Sequence, residues 1–293
     1  MLTKIFYEID NFCKDFMPNF QKQLISNNKK VNSSKLSESE IMTIIVFFHI
    51  SGYRTFKDYY IKYVSKRLNK AFPNLVSYNR FVELKQSVLL PLVVYLKKFR
   101  RGKITGISFI DSTKLTVCKN IRIPRHKVFK DVANRGKSST GWYYGFKLHL
   151  VVNDKGEIIS FHLSSANVDD RNREVIDILT KELNGKLFGD KGYISKSLFE
   201  QLYENGIELF TTLRKNMEQK IMNTIDKILL RKRSIIETVN DELKNICQIE
   251  HSRHRSIHNF MVNVLGALIA YSFKPKKPSL NINLVNENLP ITC

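Results

Sequence analysis

ISFIDS (residues 107–112) and KLFGD (residues 186–190) decide how this chain is read, because in each an apolar, β-type run stops abruptly at an aspartate. Acids are depleted inside strands, so an aspartate in this position stands at a sheet edge or at a site. The two runs place Asp111 at the end of a first strand and Asp190 at the end of a later one, before a glycine turn into a helix. Ends of neighbouring strands converge in a mixed sheet, so two carboxylates far apart in sequence can share one crevice.

Working outward, WYYGFKLHLVVN (142–153) and EIISFHLSSAN (157–167) read as a second and third strand joined across the turn Asn153, Asp154, Lys155, Gly156. A helix is expected over 171–183, then the strand at 186–190, a helix over 195–205, a strand IELFTT (207–212) and one long helix over 220–246. The order β, β, β, α, β, α, β, α is that of an RNase H-like domain, a hairpin sheet followed by crossover units. Before it, residues 1–98 carry apolar positions at three and four spacing with almost no alternation, which predicts helices. LSESEIMTIIVFFHISGY (36–53) opens with Ser37 and Glu40 in capping-box spacing. RTFKDYYIKYVSKRL (54–68) continues the helical pattern, and the stretch at 77–101 bends at Pro91. The basic, glycine-ended run at 98–106 makes a boundary. The fold class expected is therefore α+β, an RNase H-like (retroviral-integrase-like) mixed sheet with helices behind an all-α N-terminal domain. Its divisions are 1–98, 104–273 and a loose Pro-, Lys- and Asn-rich tail at 274–293.

With 43% hydrophobic residues the chain can bury a sizeable core, and its formal net charge of +21 makes a field that concentrates polyanions. A membrane surface is the competing partner. Against it, the longest apolar run, 260–273, is interrupted by Asn263 and falls short of the roughly 20 residues a bilayer span needs. No basic-then-apolar segment opens the sequence, and Cys13, Cys118, Cys247 and Cys293 show no Cys-x-x-Cys spacing. A cytoplasmic protein with reduced thiols is the expectation.

A third acid must come from the helix that packs across the two aspartate strands. Its apolar stripe is read as Ile225, Leu229, Ile236, Val239, Leu243 and Ile246, with Glu237 flanking it. Arg233, Asn240, Asp241 and Lys244 share Glu237's side of the helix, and Asp241 and Glu242 compete with it for the role. Three acids would suit phosphodiester chemistry with two metal ions about 3.5–4 Å apart. Mg²⁺, with Mn²⁺ as a substitute, needs few carboxylates because it keeps waters. Asp169 and Asp170, in NVDDRNRE (167–174), compete with Asp190 but read as the capping start of a helix.

Six stretches in order resemble the DDE transposases of bacterial insertion sequences, most closely insertion-sequence family 982: FPNLVSYNRF (72–81), IDST (110–113), GWYYGFKLHLVVNDKGEI (141–158), GDKGYIS (189–195), RSIIETVNDELK (233–244) and HSRHRSIHNF (251–260). The resemblance implies a metal-binding triad of Asp111, Asp190 and Glu237, with Arg233 and Lys244 at the basic positions of the signature Y-x2-R-x3-E-x6-K. Leu230 stands where the signature has tyrosine. It further implies a transposase acting on double-stranded DNA (terminal inverted repeats and target), two ions per site, a homodimer or larger assembly on DNA, a bacterial, nucleoid-associated setting, and no β-rich insertion between Asp190 and Glu237.

The stretch at 119–137 holds Arg122, Arg125, Lys127, Lys130, Arg135 and Lys137 and is expected to grip a DNA backbone beside Asp111. Arg253 and Arg255 precede the last helix and suit either a DNA contact or a surface cap. His149 and His162 are expected to be hydrogen-bonded sheet residues, since a hard ion prefers oxygen. Trp142, Tyr143 and Tyr144 are expected to pack on the sheet.

Overall fold

Five of the six strands are chained β2-β3-β1-β5-β6, and β4 lies beside the rest of β3. The structure, a computed structural model, describes residues 1–26, 34–212, 222–250 and 254–280. β1 (Ile107–Cys118), β2 (Asn134–Ser138), β3 (Gly141–Asn153) and β4 (Ile158–Ser165) form the antiparallel part. β5 (Gly185–Gly189) and β6 (Ile207–Thr211) are parallel and extend the other edge of β1. β3 therefore shares one edge between two partners: its first residues pair with β2 and the remainder with β4.

Two expectations about these strands are corrected. β1 does not end at Asp111 but runs on to Cys118, because Ser112 to Thr116 keep antiparallel pairing with β3. The basic stretch is not all connection: after a 3-10 turn, Asn120–Arg125, it forms strand β2. Phe129, buried against Phe146 and Phe260, pins the stretch to the core. Gly136 allows β2 to pass close to the end of β4, since a Cβ there would lie 2.4 Å from the carbonyl oxygen of Ala166.

The described part of residues 1–98 holds helices joined by turns and no strand, with α1 (Leu2–Ser26), α2 (Glu38–Phe48), α3 (Phe56–Asp58), a π-helical Tyr59–Val64, α4 (Ser65–Arg67), α5 (Tyr78–Leu84), a 3-10 turn Lys85–Val88 and α6 (Leu89–Phe99). The Ser37–Glu40 capping box forms as its spacing predicts. In the second half, α7 (Arg173–Thr180) and α8 (Lys196–Glu204) follow β4 and β5. The cap of α7 is Asn172, which takes the amide of Val175; neither Asp169 nor Asp170 serves.

The expected long helix is instead α9 (Thr224–Arg231), α10 (Ser234–Asp241) and a π-helical Glu242–Ile246. At the break, Ile235 and Ile236 donate to Lys232 and Arg233, an i→i+3 tightening with no Pro or Gly to announce it. The two halves answer to different neighbours, α9 to β5 and β6 and α10 to β1. Leu229, Ile236, Val239 and Leu243 are buried as expected, but Ile225 and Ile246, at the outer ends, are 41% and 51% exposed.

α11 (Ile257–Ser272) is buried almost all round and packs on α2 and α6. Each fully buried Leu, Ile or Val contributes on the order of 1.5–3 kcal/mol, so this helix is a major source of cohesion. Its core cluster joins α1, α2 and α6 to one face of the sheet, through Phe109, Phe146, Leu148 and Leu150. The other face is closed by α7 and α8 over Ile110, Val151 and Leu187. Among the described residues no helix is long and apolar enough to cross a membrane.

Candidate functional site

β1 and β5 are parallel neighbours with Phe109 opposite Phe188. Carrying that register two residues on brings Asp111 level with Asp190, and adjacent strands lie about 4.8 Å apart. Asp190 follows the last residue of β5 and caps the turn Lys191–Tyr193, its Oδ1 accepting from the Gly192 amide at 2.8 Å. Gly192 suits this close approach: a Cβ there would stand 2.8 Å from the same oxygen. Asp111 lies opposite Leu150 on the face that α10 crosses. Asn240 of α10 donates from Nδ2 to Asp111 Oδ2 at 3.0 Å, while its own Oδ1 is buried with no partner among the described residues.

One turn earlier on α10, Glu237 accepts from Arg233 Nη2 at 2.7 Å. Burial pushes the Asp111 carboxyl up to about 7. The Ser112 amide opposes that shift, the negative charge of Asp190 adds to it, Arg233 opposes it and Glu237 adds to it. The sequence-predicted acids thus form one electrostatic neighbourhood around a desolvated carboxylate. Their donor set, all oxygen with an unpartnered amide oxygen beside it, fits a hard divalent cation. Among the described residues no three His, Cys, Asp or Glu side chains are close enough together to hold one ion between them; Glu237 is turned to Arg233.

The rival acids are engaged elsewhere. Asp241 accepts from Asn245 at 2.6 Å, Glu242 pairs with Lys274 at 2.7 Å and Asp169 with Arg171 at 2.9 Å. Asp170 pairs with Lys147 at 3.1 Å behind the sheet, where His149 is fully buried and hydrogen-bonded to Ser164 at 2.8 Å. Lys244 sits apart from Glu237, 3.6 Å from Glu250, which also takes the Thr116 amide of β1 at 2.6 Å. Sequence reading passed over Lys114, whose charge acts on Lys244 and whose Nζ donates to Thr140 at 2.5 Å. Its place three residues beyond Asp111 in an unexpectedly long strand is what hid it.

Arg122, Arg125, Lys127, Lys130, Arg135 and Lys137 are all exposed, as is Arg255. Among the described residues none of them is paired with a carboxylate at salt-bridge distance. Arg253 lies outside the described residues. Tyr143 and Tyr144 are buried as expected, but Trp142 is 61% exposed.

Residues 101–257 match the family model described as Transposase DDE domain. No curated protein matches the chain. Among solved structures, the piggyBac transposase synaptic complex with hairpin DNA, a cryo-EM structure, aligns at a TM-score of 0.44 and 14% identity. That alignment covers 92% of this chain and 72% of the other, at a score too low to carry an argument.

Proposed function

Since the chain belongs to the Transposase DDE domain family, whose model spans more than half of it, we propose that it is a DNA transposase of insertion-sequence family 982 with Asp111, Asp190 and Glu237 as catalytic carboxylates on an RNase H-like sheet. The observation that carries this reading is the desolvated Asp111 carboxyl, pressed by Asp190 and Glu237 where α10 crosses β1. Two Mg²⁺ ions, or Mn²⁺ in their place, held by these carboxylates would supply nucleophile activation and leaving-group stabilisation.

The chain's own groups prepare and steer the reaction. Asn240 fixes one Asp111 oxygen from α10, and the Ser112 amide also bonds the carboxylate. The Gly192 amide holds Asp190 at the mouth of its strand. Arg233 orients Glu237 through its hydrogen bond and would also hold a phosphate oxygen, as would Lys244. In the first step a water oxygen attacks phosphorus at the element end, a P–O3′ bond breaks and a 3′-OH is released. In the second, that 3′-OH attacks a target phosphate and displaces another 3′ oxygen, so no covalent protein intermediate forms. Arg122, Arg125, Lys127, Lys130, Arg135, Lys137, Arg253 and Arg255 would bind DNA backbones in a salt-sensitive manner. Residues 1–98 would recognise the terminal inverted repeats and support dimerisation, 104–273 would carry catalysis, and 274–293 would be a basic tail. The setting would be the bacterial cytoplasm, on the nucleoid.

The test is cleavage and joining of a labelled duplex bearing the element's own ends, with Mg²⁺ or Mn²⁺. Wild type should nick and join, while Asp111→Ala, Asp190→Ala and Glu237→Ala should bind the duplex and do neither. Wild-type binding without cutting in either metal would leave a DNA-binding regulator derived from a transposase. Cutting without joined products would leave an endonuclease.

A further inference from the structure

Trp142 is the chain's only tryptophan, and the sheet does not cover it. It stands at the start of β3, opposite Lys137 of β2, whose Nζ lies 6.0 Å from the centre of its ring. Its carbonyl accepts from Asn120 Nδ2 at 2.8 Å, which ties the 3-10 turn to the hairpin. That turn carries Ile121, 86% exposed, between Lys119 and Arg122. From 119 to 142 the only acid is Asp131. A large flat aromatic left in water forgoes on the order of 2 kcal/mol of burial, and among the described residues Lys137 beside it and Arg122 in the neighbouring turn have no carboxylate at salt-bridge distance.

Side chains alternate along β3, so Trp142 projects with Tyr144, Phe146, Leu148 and Leu150 onto the face where Asp111 stands opposite Leu150. Eight residues separate Trp142 from Leu150, at most about 26 Å of strand, or about eight base steps of DNA. Lys114, paired with Lys147 and bonded to Thr140 in the hairpin turn, belongs to the opposite face. An indole face with phosphate-holding cations at its rim matches one ligand chemistry, a nucleobase stacked on the ring with its backbone beside Lys137 and Arg122. Bases paired inside a duplex present edges, not faces, so the base must be unpaired.

We propose that Trp142, with Ile121 beside it and Lys137 and Arg122 at its rim, is a stacking platform for an unpaired DNA base within about eight steps of the phosphate at Asp111. This rests on the transposase reading above. A single tryptophan makes the platform its own reporter. Full-length protein is titrated with two labelled probes, a blunt duplex and the same duplex with an unpaired single-stranded extension. Tryptophan emission reads stacking and label anisotropy reads binding.

The extended probe should quench most of the emission and the duplex little. Trp142→Ala should weaken the extended probe about tenfold and leave the duplex within about twofold, while Trp142→Phe should restore most of the loss. Equal quenching by both probes, equal weakening of both in Trp142→Ala, or binding of the extended probe without quenching overturns the platform. If neither probe binds, the platform and the DNA reading fall together. Selective quenching in a protein that cuts equally well as Asp111→Ala would sustain the platform while sinking the catalytic assignment.

Discussion

Two regions of this molecule bury titratable groups of one sign. At Asp111, acids crowd against a desolvated carboxylate, with Arg233 as the guanidinium acting on it. Where the N-terminal helices meet α11, the buried groups are bases: His49, Lys85 and His254 act on one another electrostatically. His49 gives its Nδ1 to the Cys247 carbonyl at 2.5 Å, and among the described residues its Nε2 and that of His254 have no partner. Lys85 lies over the Phe56 ring at 4.1 Å. Burial, with neighbouring positive charge added for the histidines, pulls His49 and His254 down to about 3, and burial pulls Lys85 down to about 8. The two histidines are therefore neutral at pH 7 and behave as packing, while Lys85 keeps most of its proton there. The acidic cluster stands in reach of solvent, with Glu237 exposed and Asp190 half-buried, which is what a site awaiting a cation requires.

The largest expected effect separates the two clusters by activity. Asp111→Ala should lower cutting by at least about 10³-fold, whereas His49→Gln should cost stability and leave the turnover of the folded fraction intact. Loss of chemistry in both would erase the distinction.

Stability of metal-free protein sharpens it next. Asp111 binds its proton more tightly folded than unfolded, so its contribution is full below about pH 3.8 and is lost as pH rises through about 7. Asp111→Asn should stabilise the protein at pH 8 by about 4 kcal/mol at most. Millimolar Mg²⁺ should raise the melting temperature of wild type but not of this variant.

The basic cluster predicts the opposite slope. His49 and His254 are depressed in the fold, so their contribution is full above about 6.5 and disappears as pH falls towards about 3. At pH 5, His49 alone should cost on the order of 2 kcal/mol, and denaturant titrations at pH 7 and 5 would show it. A flat profile for wild type would mean the histidines carry partners in solution.

Smallest, Lys85→Met should be neutral or stabilising at pH 7 by about 1–2 kcal/mol, because desolvation of the ammonium outweighs its contact with Phe56. A loss of that size would show that the cation–π contact dominates.

How much of this the sequence disclosed depends on whether the signal was local. Asp111 and Asp190 stood out because apolar strands stopped at them, and the Ser37 capping box announced its helix. Strand β2 did not, because Asn134–Ser138 has no strong strand former and owes its pairing to β3. The break between α9 and α10 was silent for a similar reason: two helices docking on different strands produce it, and no residue does. Trp142 misled because a tryptophan beside two tyrosines looks buried, and only the strand pairing shows that β1 ends opposite Tyr144 and leaves Trp142 paired with β2 alone.

The position of α11 in the chain has a consequence during synthesis. Residues 257–272 pack against α2 and α6, so the helices before residue 100 are made well before the helix that completes their core. Domains generally fold as units as they are made, but here the earliest helices must wait for one of the last. Until that helix is made, the sides of α2 and α6 that it covers stay open to solvent.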